Sequence, residues 1–268
     1  MTPMPPLPLD FRPQLIALDV DDTLVAHNSS VSERVVEAIE RVQSAGITVT
    51  LATGRSPSTT IPVARAAGIE GLVVCSNGGL LVSVDTERTI DSITFDPRPA
   101  LEELIQHLPD AVYAVEDVNG MFRATSAFRT GELGLSIREV PFEHLLTEPV
   151  IRLVVRSEEH TDSGFGEFVR SIGYESVIFG VADVAWMDIG GKGVNKATML
   201  GRLCDLRGVD PARTIAIGDF WNDIEMLEWA GWGVAMGGAP DAIKAVANAV
   251  TSGVPGEGVA DVLDSIQL

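Results

Sequence analysis

Asp19 and Asp21 stand two residues apart directly after the apolar run Leu15 to Leu18, in the segment Asp19-Val20-Asp21-Asp22-Thr23. Side chains at i and i+2 of an extended chain share one side. The spacing therefore predicts both carboxylates in one site, with Val20 facing away. Two such groups repel, which calls for a cation or a shared proton. An Asp-rich turn capping the next helix gives the same letters, and this motif alone does not decide between the two. A second acidic group favours the site. Ile215 to Ile217 is another short apolar run, leading into Gly218-Asp219-Phe220-Trp221-Asn222-Asp223. Asp19, Asp21, Asp219 and Asp223 at one edge of a sheet demand a hard cation, and oxygen ligands of this type suit Mg²⁺. Capping by Asp219 or Asn222 would account for one residue and leave the rest unexplained.

Two further residues suit a phosphate. Thr53 follows an apolar run in Ala52-Thr53-Gly54-Arg55, where a hydroxyl and an N–H can meet phosphate and Gly54 admits close backbone approach. An ordinary strand-to-helix turn is the alternative for this segment taken alone. Lys196 opens a helical pattern and shares a stripe with Leu200 and Leu203. It is predicted to point toward the core rim and offer a point positive charge, against the alternative of a solvated first-turn lysine. Lysine occurs only at 192, 196 and 244. Lys192 lies in Gly-Gly-Lys-Gly and reads as a loop residue, and no P-loop pattern exists. The histidines at 27, 107, 144 and 160 form no cluster along the chain.

The elements that must position these residues alternate. Leu15 to Leu18 reads as a buried strand. Ser32 caps a helix whose Val35, Ala38, Ile39 and Val42 recur at helical spacing up to Gly46. Ile47 to Ala52 is the next strand, followed by a helix around Thr60 to Ala67 and a strand Leu72 to Cys75 that closes on Ser76-Asn77-Gly78-Gly79. Strand alternating with helix predicts a parallel sheet with right-handed crossovers, and such sheets bind ligands at the carboxyl ends of their strands. From about Leu80 the pattern changes to a hairpin around Asp85 to Thr89, several short strands, and helices at Ala100 to His107 and Phe165 to Ser171. That is an inserted α+β segment. From Gly193 the alternation resumes: a helix through Arg207, strand Thr214 to Ile217, helix Asp223 to Trp229, strand Gly233 to Met236 and helix Asp241 to Ala247.

The 268 residues are 46% hydrophobic and 21% charged, an ordinary globular mix. The net charge of −19 disfavours nucleic acid and anionic membrane surfaces as partners. Cys75 and Cys204 suggest neither a disulfide framework nor a zinc site. No apolar run reaches the ~18 residues of a membrane helix, and the first residues lack a secretory pattern. The expectation is a cytoplasmic protein.

Taken in order, Asp19-Val20-Asp21-Asp22-Thr23-Leu24, Ala52-Thr53-Gly54-Arg55, Gly193-Val194-Asn195-Lys196 and Gly218-Asp219-Phe220-Trp221-Asn222-Asp223 resemble the four motifs of the haloacid dehalogenase superfamily. The match is specifically to its Cof-like phosphatases with a type IIB cap. Ser76-Asn77-Gly78-Gly79, Gly233 to Gly237 and Gly256 to Ala260 resemble the family as well. The resemblance implies an α/β fold: a Rossmann-like parallel-sheet core over 13–80 and 189–268, an inserted α+β cap over 81–188, and a flexible Pro-rich tail over 1–12. It implies that Asp19 attacks phosphorus to form an aspartyl phosphate and that Asp21 is acid and base. Thr53 and Lys196 would bind the transferring oxygens, with Gly54, Arg55, Asn77 and Asn222 as further phosphate or substrate contacts. Mg²⁺ would be held by the Asp19 carboxylate, the Asp21 carbonyl and Asp219, with Asp223 in support. The implied substrate is a small phosphate ester, sugar phosphates foremost. A phosphomutase of the same superfamily and a phospho-acceptor signalling domain are the alternatives. The chain departs from the family at Asp22, where Gly is common, at the bulky Phe220-Trp221 pair, and at Gly238, where Asn is common. Arg123, Arg129, Arg152 and Asp183 in the cap stand open between lining the cleft and covering a solvated face.

Overall fold

The computed structural model describes residues 7, 8, 10–26, 29–126, 137–157, 175–181 and 184–268. The expected helix at Phe165 to Ser171, and the cap residues Arg129 and Asp183, lie outside the described residues. Five parallel strands form the central sheet: β1 (Leu15–Leu18), β2 (Thr48–Leu51), β12 (Thr214–Gly218), β13 (Trp232–Ala235) and β14 (Ala249–Val250). They are ordered β14-β13-β12-β1-β2. β1 lies between β12 and β2, pairing Leu18 with Ile217 on one side and with Leu51 on the other. Its four residues are all buried, as a strand covered on both faces requires, which explains a continuous apolar run in place of alternation.

The two faces have separate cores. α1 (Glu33–Ser44), α2 (Pro57–Ala66) and α7 (Glu257–Asp264) cover one face, where Val35, Ile39, Ile61 and Leu263 pack on Ile16, Leu18, Val49 and Ile217. α4 (Lys196–Arg207), α5 (Ile224–Trp229) and α6 (Asp241–Val246) cover the other, where Met199, Leu203, Met226 and Ile243 pack on Leu15, Ala17 and Ala216. Ser32 caps α1 through Val35 N, as expected. α7 has no counterpart in the sequence reading, because Gly256, at φ 78, starts it without a capping side chain.

β3 (Leu72–Cys75) continues the central sheet through a single bridge between Ala52 and Val74. It pairs antiparallel with β4 (Leu80–Ser83), which pairs with β5 (Thr89–Ser92). Leu80, Val82 and Val84 belong to the same core as β1 and β2, so the sequence boundary at 80/81 falls inside a strand that packs with the parallel sheet. The second sheet is mainly antiparallel, ordered β10-β11-β9-β6-β7-β8. Its strands are β6 (Val112–Glu116), β7 (Phe122–Ala124), β8 (Ile137–Glu139), β9 (Arg152–Ser157), β10 (Glu175–Val181) and β11 (Val184–Gly190). α3 (Arg98–His107) covers one of its faces through Leu101 and Leu104. No helix among the described residues is long and apolar enough to cross a membrane.

The turn Ser76–Gly78 after β3 is where the layers meet. Gly78 has φ +92, and a Cβ there would lie 1.9 Å from the Asn195 carbonyl oxygen, the residue that caps α4. Gly46 also has positive φ, +84, but open space around it. Gly46→Ala therefore carries only the left-handed backbone cost, about 1 kcal/mol. Gly78→Ala adds a backbone clash and is expected to destabilise by more than about 3 kcal/mol. Denaturant unfolding of the two variants checks this, and equal losses would contradict the close packing of turn and helix.

Candidate active site

The carboxyl ends of β1 and β12 and the N-terminus of α4 converge on one cluster of charge. Lys196 Nζ donates to Asp19 Oδ1 and to Asp223 Oδ1, each at 2.6 Å. Lys196 and Asp223 are fully buried and Asp19 is 6% exposed. The lysine expected at the core rim is thus inside it. Its charge is matched on both sides, by Asp19 and by Asp223. Asn195 caps that helix through Thr198 N, which fixes where the lysine enters.

Asp223 uses its second oxygen structurally. Oδ2 accepts from the backbone N–H of Asp219 at 2.9 Å and of Phe220 at 3.0 Å. Gly218 makes this possible, since a Cβ there would meet Asp223 Cγ at 2.5 Å. Asp219 Oδ1 accepts from the buried Thr23 hydroxyl at 2.8 Å. Oxygens of Asp19, Asp219 and Asp223 all lie within 4.8 Å of one another. Three carboxylates around one ammonium leave uncompensated negative charge, and an all-oxygen donor set of this kind fits a hard divalent cation.

The titration behaviour follows from this crowding. Burial is the largest influence on Asp19 and raises its pKa well above the usual carboxylate value; Lys196 opposes that and Asp223 adds to it. Burial also pushes Asp219 up to about 6, with Thr23 lowering it and Asp223 raising it. For Lys196, burial works against the charge but Asp19 and Asp223 outweigh it, and its pKa is raised.

Asp21 sits differently. Its side chain is 49% exposed against 8% for Asp19, and it takes a bidentate pair from Arg55, with Nε at 2.8 Å and Nη2 at 2.5 Å. It is not one of the three clustered carboxylates. Strand geometry ends at Leu18, and Leu24 N and Val25 N both bond back to Val20 O. The i, i+2 rule therefore does not carry as far as Asp21. Asp22, at φ 57, occupies the left-handed region that Asp tolerates and Gly favours.

The phosphate-type residues form an adjoining chain of loops. Thr53 is buried; its hydroxyl accepts from Arg55 N at 3.1 Å, and its carbonyl accepts from Asn77 N at 3.0 Å. Asn222 Nδ2 donates to Asn77 Oδ1 at 2.9 Å. A Cβ on Gly54 would lie 3.1 Å from that same Asn77 oxygen. Thr53, Gly54, Arg55, Asn77 and Asn222 are thus brought together beside the carboxylates. Trp221 is 51% exposed next to them, and Gly238 is exposed in the loop after β13.

Of the cap residues, Arg123 is tied by Nη1 to His144 O and Thr147 Oγ1. Arg152 lies buried between Glu116 and Asp188 and donates to Gly54 O. The sequence reading missed Thr23, Ser76, Glu116 and Asp188. A charged residue on an otherwise apolar strand, as in Val-Tyr-Ala-Val-Glu and Trp-Met-Asp-Ile, was the available signal.

The family model of haloacid dehalogenase-like hydrolases matches residues 16–263. The 5-amino-6-(5-phospho-D-ribitylamino)uracil phosphatase YitU of Bacillus subtilis (strain 168) is 27% identical over 263 residues, covering 94% of this chain and 97% of its own. A phosphoglycolate phosphatase of Methanopyrus kandleri is 30% identical over 252 residues, covering 93% and 95%. Among solved structures, the haloacid dehalogenase subclass IIB sugar phosphatase BT4131 superposes with a TM-score of 0.78 at 22% identity, covering 94% of this chain and 98% of that one.

The raised Asp219 pKa has a stability consequence. In metal-free protein the folded state holds this proton up to about pH 6, whereas the unfolded chain releases it near pH 4. Asp219 therefore lowers stability as pH rises through that window. Comparing Tm against pH for wild type and Asp219→Asn in EDTA should show a steeper fall for wild type between about pH 4 and 6. Parallel profiles would contradict the charge crowding.

Proposed function

The chain belongs to the haloacid dehalogenase-like hydrolase family and is a phosphoric monoester hydrolase, and we propose that it is a Mg²⁺-dependent phosphatase of small phosphorylated metabolites, sugar phosphates foremost. The observation that carries this reading is Lys196, buried and bonded to Asp19 and Asp223 with Asp219 alongside. That arrangement supports reading Asp19 as the nucleophile, Lys196 as the cation that meets phosphate and the three carboxylates as the metal locus.

In this reading the Asp19 and Asp219 carboxylates and the Asp21 carbonyl, with Asp223 in support, would hold a divalent cation, which would supply the positive charge that lets a carboxylate approach a phosphate dianion. An Asp19 oxygen attacks phosphorus. The bond from phosphorus to the leaving oxygen breaks, and that oxygen takes a proton from Asp21. Water then attacks the aspartyl phosphate, gives its proton to Asp21, and the Asp19 oxygen leaves. Dividing one displacement into two easier ones is the gain of covalent catalysis, and the acid–base contribution is typically 10²–10⁴-fold. Lys196 and Thr53 neutralise and orient the transferring oxygens. Arg55 holds Asp21 in the free protein, and an arriving phosphate competes for that guanidinium and frees the acid. The inserted cap contributes leaving-group contacts and excludes water. The B. subtilis and M. kandleri relatives are named for monoesters with unlike leaving groups, and the fold neighbour for a sugar phosphatase, which supports a small-metabolite range.

A phosphate-release screen over sugar phosphates, nucleotides and cofactor phosphates, with Mg²⁺ or EDTA, tests the reading. Turnover is expected only with metal, and Asp19→Asn is expected to abolish it with the fold intact. Undiminished turnover in that variant would sink the nucleophile assignment. Asp21→Asn removes both proton transfers, so alkyl phosphates should lose roughly 10²-fold or more in kcat. With an acyl phosphate, which needs little acid help, acid-quenched mass spectrometry should show a phosphoryl group accumulating on the Asp19 peptide. Wild-type kcat for alkyl phosphates in Asp21→Asn would remove that residue from the acid–base role.

A further inference from the structure

A second buried charge cluster stands outside the carboxylate site. Glu116 on β6 lies opposite Arg152 on β9, and Asp188 comes from the neighbouring β11. Arg152 Nε donates to Glu116 Oε2 at 2.6 Å and Nη1 to Asp188 Oδ2 at 2.5 Å. The guanidinium carbon is 5.3 Å from the centre of the Phe122 ring. Arg152 is 6%, Glu116 0% and Asp188 5% exposed. Buried ion clusters add little net stability over an apolar replacement of the same shape, so stability alone does not account for this one.

Its other contacts leave the cap sheet for the loops beside the carboxylates. Arg152 Nη1 also donates to the Gly54 carbonyl at 2.8 Å, and Ser76 Oγ donates to Glu116 Oε1 at 2.9 Å. The start of β9 is seated without a gap on the same turn, since a Cβ on Gly79 would meet Ile151 Cγ2 at 2.3 Å. The Gly54 carbonyl and the Arg55 N–H belong to one planar peptide unit. That N–H donates to the Thr53 hydroxyl oxygen, and the Arg55 carbonyl accepts from Ser76 N at 2.9 Å. Holding the Gly54 oxygen therefore sets the plane that aims Thr53 and from which Arg55 departs.

We propose that Arg152 is a positioning residue for phosphoryl transfer: gripped by Glu116 and Asp188, it fixes the Gly54 carbonyl and, through that peptide plane, the orientation of Thr53 and Arg55 toward the transferring phosphate. The inference rests on the phosphatase reading above. It makes the cap sheet part of the device that shapes the phosphate loop.

Arg152→Lys keeps a positive charge between the two carboxylates but cannot reproduce the fork that also reaches Gly54. With p-nitrophenyl phosphate and Mg²⁺, kcat is expected to fall on the order of 100-fold, the cost of a misaimed contact. KM should change far less, and the inhibition constant for orthovanadate should rise in step with the lost kcat/KM. Tm should stay within about 5 °C of wild type. If Arg152→Lys does not fold, the neutral triple variant Glu116→Gln, Arg152→Met, Asp188→Asn leaves no unpaired buried charge and is expected to show the same kinetic losses. A purely structural cluster would shift Tm yet leave kcat per folded molecule and vanadate inhibition at wild-type values. That result in either variant overturns the proposal while the phosphatase reading stands. Wild-type protein inactive on p-nitrophenyl phosphate and on sugar phosphates overturns both.

Discussion

An ammonium group with no exposure to water persists only if its charge is met in place, and Lys196 meets this condition through Asp19 and Asp223 at 2.6 Å each. The requirement organises three elements from distant parts of the chain. β1 must end just before Asp19, β12 must turn so that Asp223 folds back over Gly218, and α4 must begin with its first side chain directed between them. With Asp219 alongside, the cluster holds more negative than positive charge. The stabilising pair and the affinity for a further cation thus come from one arrangement. A site at the carboxyl ends of parallel strands concentrates such charge where backbone N–H groups are free to share it, as those of Asp219 and Phe220 do with Asp223.

The loops around this cluster are held tightly. Asp22, Ser76 and Asn77 all have positive φ without being glycine, a backbone cost of about 1–3 kcal/mol each that neighbouring structure must offset. The offset is visible in the contacts of the turn at 76–79. It bonds to Thr53 and Arg55, its Asn77 side chain accepts from Asn222, its Gly78 lies against the cap of α4, and its Ser76 reaches Glu116. One turn therefore touches the Thr53 loop, the loop after β12, the helix that Lys196 opens and the cap sheet. Rigidity here has a functional sense, since phosphoryl transfer depends on positioned charge more than on any single reactive group.

Much of this was legible in the chain. The apolar runs before Asp19, Thr53 and Asp219 mark buried parallel strands because such strands are covered on both faces, and residues placed just after them fall at one sheet edge. Lys196 was readable as a helix-opening residue, but its full burial was not, because periodicity along α4 says nothing of which carboxylates cross over it. Asp21 was read as sharing one site with Asp19, but its carboxylate stands outside the cluster of three, since alternation lapses where the strand ends. The hairpin over β4 and β5 looked like the start of the inserted segment because its pattern is antiparallel, yet Leu80 and Val82 pack with the parallel sheet. The grouping of Glu116, Arg152 and Asp188 stayed hidden for a different reason. They stand on three separate strands, and only long-range pairing brings them together.

The central claim is that Lys196 is the counter-ion on which the carboxylate cluster depends, and a mutant comparison in metal-free protein addresses it directly. Removing one partner of a buried ion pair costs about 3–5 kcal/mol because the remaining charges are left unpaired, whereas removing all partners together does not. Denaturant unfolding of Lys196→Met is therefore expected to show a loss of that size. The combined variant Lys196→Met, Asp19→Asn, Asp223→Asn is expected to recover most of it. A Lys196→Met protein as stable as wild type, or a combined variant no more stable than Lys196→Met, would contradict the account.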